Sequence, residues 1–213
     1  TELSCDSSRR SECETDMTEN STGNLRSSTS PADSSVVGQY SEATQADVSA
    51  AIESARNSLT DWSSRCVTER AAILERAAEL FEARTAEFTS LIAKEAGRTL
   101  NDGVDEVREA VDFCRYYAAQ ATSLMHSELE LPGVTGETNR LSYAPRGAWL
   151  CISPWNFPLA IFTGQIVANL AVGNTVVAKP AEQTPLVARL ACDVLEEAGV
   201  PEGVINLVNG DGP

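Results

Sequence analysis

The sequence predicts an α/β chain in which N-terminal helices precede a partial, Rossmann-like parallel sheet. Three observations predict it. Across residues 44–124 the apolar side chains recur at helical spacing, from 148 to 208 short apolar runs alternate with helical ones, and the links between them are short. Strand, helix, strand, helix, strand with such links requires parallel strands joined by right-handed crossovers, which is half of a doubly wound domain.

Residues 1–35 are dominated by Ser, Thr, Asn and acids, with Leu3, Met17 and Leu25 as their few large apolar groups. That is too little buried area to offset the entropy of ordering, so the stretch reads as a disordered leader ahead of a domain over 36–213. From Thr44 a first helix presents Val48, Ile52, Ala55 and Leu59 on one face, and Trp62 closes it. Thr68 is placed to cap a second, long helix. Its buried side is Ile73, Leu74, Ala77, Leu80, Phe81, Phe88, Leu91 and Ile92, and Gly97 stops it. A third helix over 104–124 turns Val107, Val111, Cys114, Ala118 and Ala121 inward, so the helical part covers 44–126.

After Leu131-Pro132-Gly133 the periodicity changes. Residues 139–143 and 148–152 read as strands, the second as a short buried one. A helix runs from Pro158 to Gly173-Asn174, a strand over 175–178 leads to Lys179-Pro180, a helix runs from Pro185 to Gly199, and a last strand covers 204–208. Sheets of this kind bind ligands at the carboxyl ends of their strands. Those ends carry Ser153-Pro154-Trp155-Asn156, Lys179-Pro180-Ala181-Glu182 and Asn209-Gly210-Asp211-Gly212.

Composition narrows the function classes. With 213 residues and 42% hydrophobic content the chain can bury a sizeable core. A net charge of −15 argues against a sequence-independent hold on nucleic acid or anionic lipid, both of which need a basic face. The apolar run from Leu159 to Val172 is interrupted by Thr163, Gly164, Gln165 and Asn169, and a membrane span needs roughly 20 apolar residues. No secretory signal is evident at the N-terminus, so a cytoplasmic setting is expected. The six cysteines contain no Cys-x-x-Cys pair and the only histidine is His126, so no metal site is expected.

Asn156, between Trp155 and Phe157 and followed by Pro158, sits on stiff, extended backbone, so its amide has a defined direction. Two roles are open to it: an oxyanion donor or a cap for the following helix. Lys179 and Glu182 have the spacing of a surface ion pair. The same spacing lets an ammonium and a carboxylate flank a ribose, and the carboxylate would repel a 2′-phosphate, favouring NAD over NADP. The Gly210-Asp211-Gly212 turn allows close approach to a phosphate or adenine but is weak evidence by itself. The sequence contains neither G-x-G-x-x-G nor a G-x-x-x-x-G-K-[ST] loop.

Three ordered runs, APRGAWLCISPWNFP (144–158), AVGNTVVAKPAEQTP (171–185) and AGVPEGVINLV (198–208), resemble the aldehyde dehydrogenase superfamily, and the resemblance covers 36–213. The phrases CISPWNFPLAIFTGQ (151–165) and EVREAVDFCRYYA (106–118) are most similar to the glutamate-semialdehyde (1-pyrroline-5-carboxylate) dehydrogenase module of bifunctional proline utilisation A. The resemblance implies an incomplete NAD-binding domain of an enzyme oxidising L-glutamate 5-semialdehyde to L-glutamate, with NAD taking the hydride and a homo-oligomeric parent. It implies Asn156 as the side-chain half of the oxyanion hole, and Lys179 and Glu182 as ribose contacts. Ile152, Ser153, Pro154 and Trp155 would line the cofactor cleft, with Gly212 and Pro213 near the adenine. Phe157 would pack on the substrate's aliphatic chain and Glu109 lie near its polar end.

By the same resemblance the nucleophilic cysteine, the general-base glutamate and the glycine-rich pyrophosphate loop fall beyond Pro213, so the chain alone is expected to be inactive. Cys151 is not a substitute, since its sequence neighbours supply no base or cation. Three other readings stay open: a non-catalytic product that binds nucleotide or pairs with a homologue, a dehydrogenase for another aldehyde, and a phosphorylated N-terminal interaction segment.

Overall fold

The computed structural model describes residues 24–211. Strand β1 (Leu25–Thr29) pairs antiparallel with β2 (Val36–Ser41), Leu25 opposite Ser41. Residues 24–35 are therefore not the disordered leader that composition predicts; the rest of that stretch, 1–23, lies outside the described residues. The reason is a polar anchor: Ser28 is buried and its Oγ donates to Glu95 Oε1 at 2.7 Å, which ties a strand of small polar residues to the helices.

Helix α1 (Gln45–Ser64) starts on a capping box in which Thr44 Oγ1 accepts from Asp47 N and the Asp47 carboxylate accepts from Thr44 N. Its Ala55 and Trp62 are buried while Ile52 is exposed, so only part of the expected apolar face is used. The single long second helix is instead two, α2 (Val67–Ala83) and α3 (Thr85–Glu95), hinged at Arg84. Thr85 Oγ1 donates to the Glu82 carbonyl at 2.7 Å, and the bend brings the fully buried rings of Phe81 and Phe88 to 5.4 Å. Cys66 rather than Thr68 is the N-cap of α2. Helix α4 (Leu100–Met125) begins earlier than expected because Thr99 and Asp102 form another capping box; Val107, Val111, Cys114, Ala118 and Ala121 are buried, as their spacing predicts.

Strands β3 (Leu129–Leu131) and β4 (Asn139–Leu141) form a largely exposed antiparallel pair. Then come β5 (Ala148–Ile152), α5 (Ala160–Ala171), β6 (Thr175–Lys179), α6 (Pro185–Ala198) and β7 (Ile205–Leu207). The three strands form one parallel sheet in the order β5-β6-β7. Its central strand is buried from Thr175 to Ala178. Leu74, Phe81, Phe88, Ile92 and Val107 of the helical layer share one core with Phe162, Ile166 and Leu170 of α5 and Leu195 of α6. The interrupted apolar run from Leu159 to Val172 lies in a core helix, and among the described residues no helix is long and apolar enough to cross a membrane.

Candidate functional site

Parallel pairing sets Ile152 opposite Lys179, so the segments leaving β5 and β6 start side by side. Ser153 N donates to Lys179 O at 3.2 Å, extending the ladder past the strand end, and Gln165 Nε2 of α5 donates to Ile152 O at 3.0 Å. Ser153 is buried, and its Oγ has no hydrogen-bond partner among the described residues. Ile152 and Trp155 stand 57% and 52% exposed, an apolar surface at the mouth of the sheet; Pro154 is exposed and Asn156 and Phe157 are half-buried.

Beside this loop, Lys179 Nζ lies 3.7 Å from Glu182 Oε2 and donates to Pro180 O at 3.1 Å. The ion pair that the spacing allows is formed, and it sits at the carboxyl end of the parallel strands. The Glu182 carboxyl is held below its usual range by its own backbone amide, with Gln183 and Lys179 adding to the effect, so it is an anion at neutral pH. Gly210 has open space where a side chain would stand. Gly212 and Pro213 lie outside the described residues.

The helices that follow β5 and β6 do not present free N-termini to this edge. The N-cap of α5 is Leu159, not Asn156, and its first amides, Leu159 N and Ala160 N, donate to Glu106 Oε2 of α4 at 3.0 and 3.3 Å. The first amides of α6, Leu186 N and Val187 N, donate to the two carboxylate oxygens of Glu95 at 2.9 Å each. Both glutamates are about 98% buried, and burial pushes both carboxyls above their ordinary range, opposed by those amides. A helix N-terminus is the usual pyrophosphate site of a dinucleotide fold. Here both are occupied by the chain's own carboxylates, consistent with the missing glycine fingerprint.

Sequence reasoning passed over Glu95, Glu106 and Arg98. The available signal was a carboxylate at a core-facing helical position: Glu95 follows Ile92 by three residues, and Glu106 lies three after buried Gly103 and four before Ala110. Arg98, between α3 and α4, donates from Nη1 to the Asn156 carbonyl at 2.7 Å, and its guanidinium lies 4.8 Å from the centre of the Phe157 ring. Glu109, the acid singled out from the sequence, is exposed on α4, and the structure does not bring it to the loop; the buried acid on that helix is Glu106.

Of the four described cysteines, Cys66 is exposed and Cys114, Cys151 and Cys192 are buried. Burial pushes the Cys151 thiol up to about 11 and the Cys114 and Cys192 thiols to about 12. None of these three is poised as a nucleophile.

The profile of the aldehyde dehydrogenase family matches residues 17–213. The bifunctional protein PutA of Escherichia coli (strain K12) is 49% identical over 177 residues, covering 83% of this chain and 12% of that protein. The 1-pyrroline-5-carboxylate dehydrogenase 2 of Bacillus subtilis (strain 168) is 42% identical over 186 residues, covering 87% of this chain and 36% of its own length. The chain thus spans well under half of these relatives. Among solved structures, a Thermus 1-pyrroline-5-carboxylate dehydrogenase with bound NAD superposes with a TM-score of 0.86 at 38% identity, covering 90% of this chain and 37% of that one. A crystal structure of bifunctional proline utilization A gives a TM-score of 0.79 at 53% identity, covering 81% of this chain and 18% of that one.

Proposed function

The chain belongs to the aldehyde dehydrogenase family, and on that premise we propose that it is the cofactor-binding part of an NAD-dependent enzyme that oxidises L-glutamate 5-semialdehyde to L-glutamate. The observation that carries this reading is the pairing of Ile152 with Lys179, which puts the Asn156 loop and the Lys179–Glu182 pair on one edge of the sheet.

The residues on that edge suit the nucleoside part of NAD. Glu182 offers carboxylate oxygens to a ribose diol, Lys179 a donor, and Ile152, Pro154 and Trp155 an apolar surface beside buried Ser153. They do not supply a pyrophosphate cradle, since the amides opening α5 and α6 are taken by Glu106 and Glu95. That task falls to the glycine-rich loop the family resemblance places beyond Pro213, together with the nucleophile and the base. When bound, NAD supplies the acceptor for the aldehyde hydride. The Asn156 side-chain amide donates to the oxyanion that forms as the carbonyl is attacked, a role whose loss costs on the order of 10²–10³ in turnover elsewhere. Phe157, next to it, packs against the aliphatic part of the substrate.

The test is NADH formation with NAD and L-glutamate 5-semialdehyde, by the 213-residue chain and by the full-length protein. Only the full-length protein should turn over. Activity confined to other aldehydes would overturn the substrate, and turnover by the short chain would overturn the placement of the nucleophile and return attention to Cys151.

A further inference from the structure

The loop that carries Asn156 is held from one direction. Arg98 and Glu106, on the segment entering α4 and on its second turn, grip the loop on the two sides of Pro158. Upstream, Arg98 Nη1 donates to the Asn156 carbonyl at 2.7 Å while the guanidinium covers the Phe157 ring at 4.8 Å. Downstream, Glu106 Oε2 accepts from Leu159 N and Ala160 N. The two side chains also face each other. Arg98 Nε and Glu106 Oε1 are 3.9 Å apart, an ion pair too long for a hydrogen bond, and neither atom has a hydrogen-bond partner among the described residues. Asp102, one turn into α4, lies 3.7 Å from Arg98 Nη2 and completes the charge around the guanidinium.

We propose that Arg98 and Glu106 are positioning residues for the oxyanion donor: together they fix the Asn156 peptide so that its side-chain amide points where the oxyanion forms. The inference rests on the proposed dehydrogenase reading, because only there does the direction of the Asn156 amide matter to turnover. The geometry explains why two charged groups are kept close to the core at this place. Pro158 removes one backbone donor from the loop, and Asn156 makes no cap to the helix that follows, so the loop's direction is set by α4 rather than by its own hydrogen bonds. A displacement of about 1 Å at such a group is enough for roughly a 10²-fold loss of rate.

The test uses the full-length enzyme and Arg98→Met, which keeps the apolar stem and removes the donor and the charge. It should lower kcat about tenfold or more while the KM for NAD stays within about twofold, and Arg98→Lys should recover part of the loss. The decisive readout is coupling to Asn156. In an Asn156→Ala background Arg98→Met should cost almost nothing further, because its effect passes through Asn156. Equal costs in both backgrounds would reduce Arg98 to a structural role and overturn the inference. A second readout does not need turnover. Hydrogen exchange over 153–162 should speed about tenfold in Arg98→Met with the rest of the sheet unchanged, and unaltered exchange there would also overturn it. Wild-type enzyme that fails to oxidise the semialdehyde, with exchange behaving as stated, would count against the substrate reading and leave the clamp standing.

Discussion

Glu95 on α3 and Val187 on α6 meet across 92 positions of sequence, carboxylate to amide at 2.9 Å. Glu106 on α4 stands in the same relation to Leu159 at the start of α5. Each crossover helix therefore begins on a carboxylate delivered by the preceding helical layer. The two glutamates do locally what a Ser or Asp cap would do, but they also tie the helical layer to the helices that follow β5 and β6.

The pH dependence of stability follows from Glu95. Burial raises its carboxyl, and the Leu186 amide, the Ser28 hydroxyl and the Val187 amide only partly offset that. A carboxyl with a higher pKa folded than unfolded holds its proton more tightly in the folded state. Its contribution is complete below the unfolded value of about 4.3 and is lost as pH rises through the raised one. Glu95→Gln removes this titration. The thermal midpoint of full-length wild type, relative to Glu95→Gln, should fall as pH rises from the unfolded carboxyl value of about 4.3 through the raised folded one. A constant or rising difference would contradict the assignment.

The two glutamates of α4 should separate cleanly. Glu106→Leu strands the Leu159 and Ala160 amides in the core, at about 1–3 kcal/mol for each buried donor left unmatched. Glu109→Ala, on the exposed face, should stay within about 0.5 kcal/mol. Denaturant midpoints of the full-length variants decide it, and comparable losses would mean that Glu109 has a role its exposure does not reveal.

Thiol labelling tests the claim about nucleophiles. An ordinary thiol near 9.0 that is moved to about 11, as Cys151 is, loses about 100-fold of its thiolate. Alkylation mapped by mass spectrometry should mark Cys66 quickly and Cys114, Cys151 and Cys192 only after unfolding. Cys151→Ser should leave turnover of the full-length enzyme within about twofold. Rapid labelling of Cys151 in the folded protein would reopen it as a reactive residue.

What the sequence reveals and what it hides divide by the range of the interaction. β5 was legible as a strand from the run Ala148–Ile152, and α6 from Pro185 at its start and Gly199, at φ 113°, just past its end, because these signals are local; the burial expected of β5 is not found, since only its Cys151 is buried and Trp149, Leu150 and Ile152 are exposed. β1 was not legible. Its Ser28 is ordered by Glu95, 67 positions away, and no local composition encodes that bond. The break at Arg84 was hidden because both halves carry the same apolar period. At the site, Lys179 and Glu182 were found because spacing placed them together. Arg98 and Glu106 were missed because their importance lies in which backbone groups they hold.

The pairing of Lys179 with Glu182 predicts cofactor choice. Glu182 is kept anionic by its own amide, Gln183 and Lys179, so in the proposed reading it would accept from a ribose diol and repel a 2′-phosphate at neutral pH. Removing a hydrogen bond to a charged group costs about 1.5–3 kcal/mol, which corresponds to roughly 10–100-fold. Glu182→Ala in the full-length enzyme should raise the KM for NAD by about that factor and leave the KM for NADP nearly unchanged or lower, since repulsion disappears together with the contact. Lys179→Met should raise both, because an ammonium serves a diol and a phosphate alike. If Glu182→Ala raised the two KM values equally, the carboxylate would not be facing the ribose, and the Lys179–Glu182 pair would be the surface ion pair that its spacing equally allows.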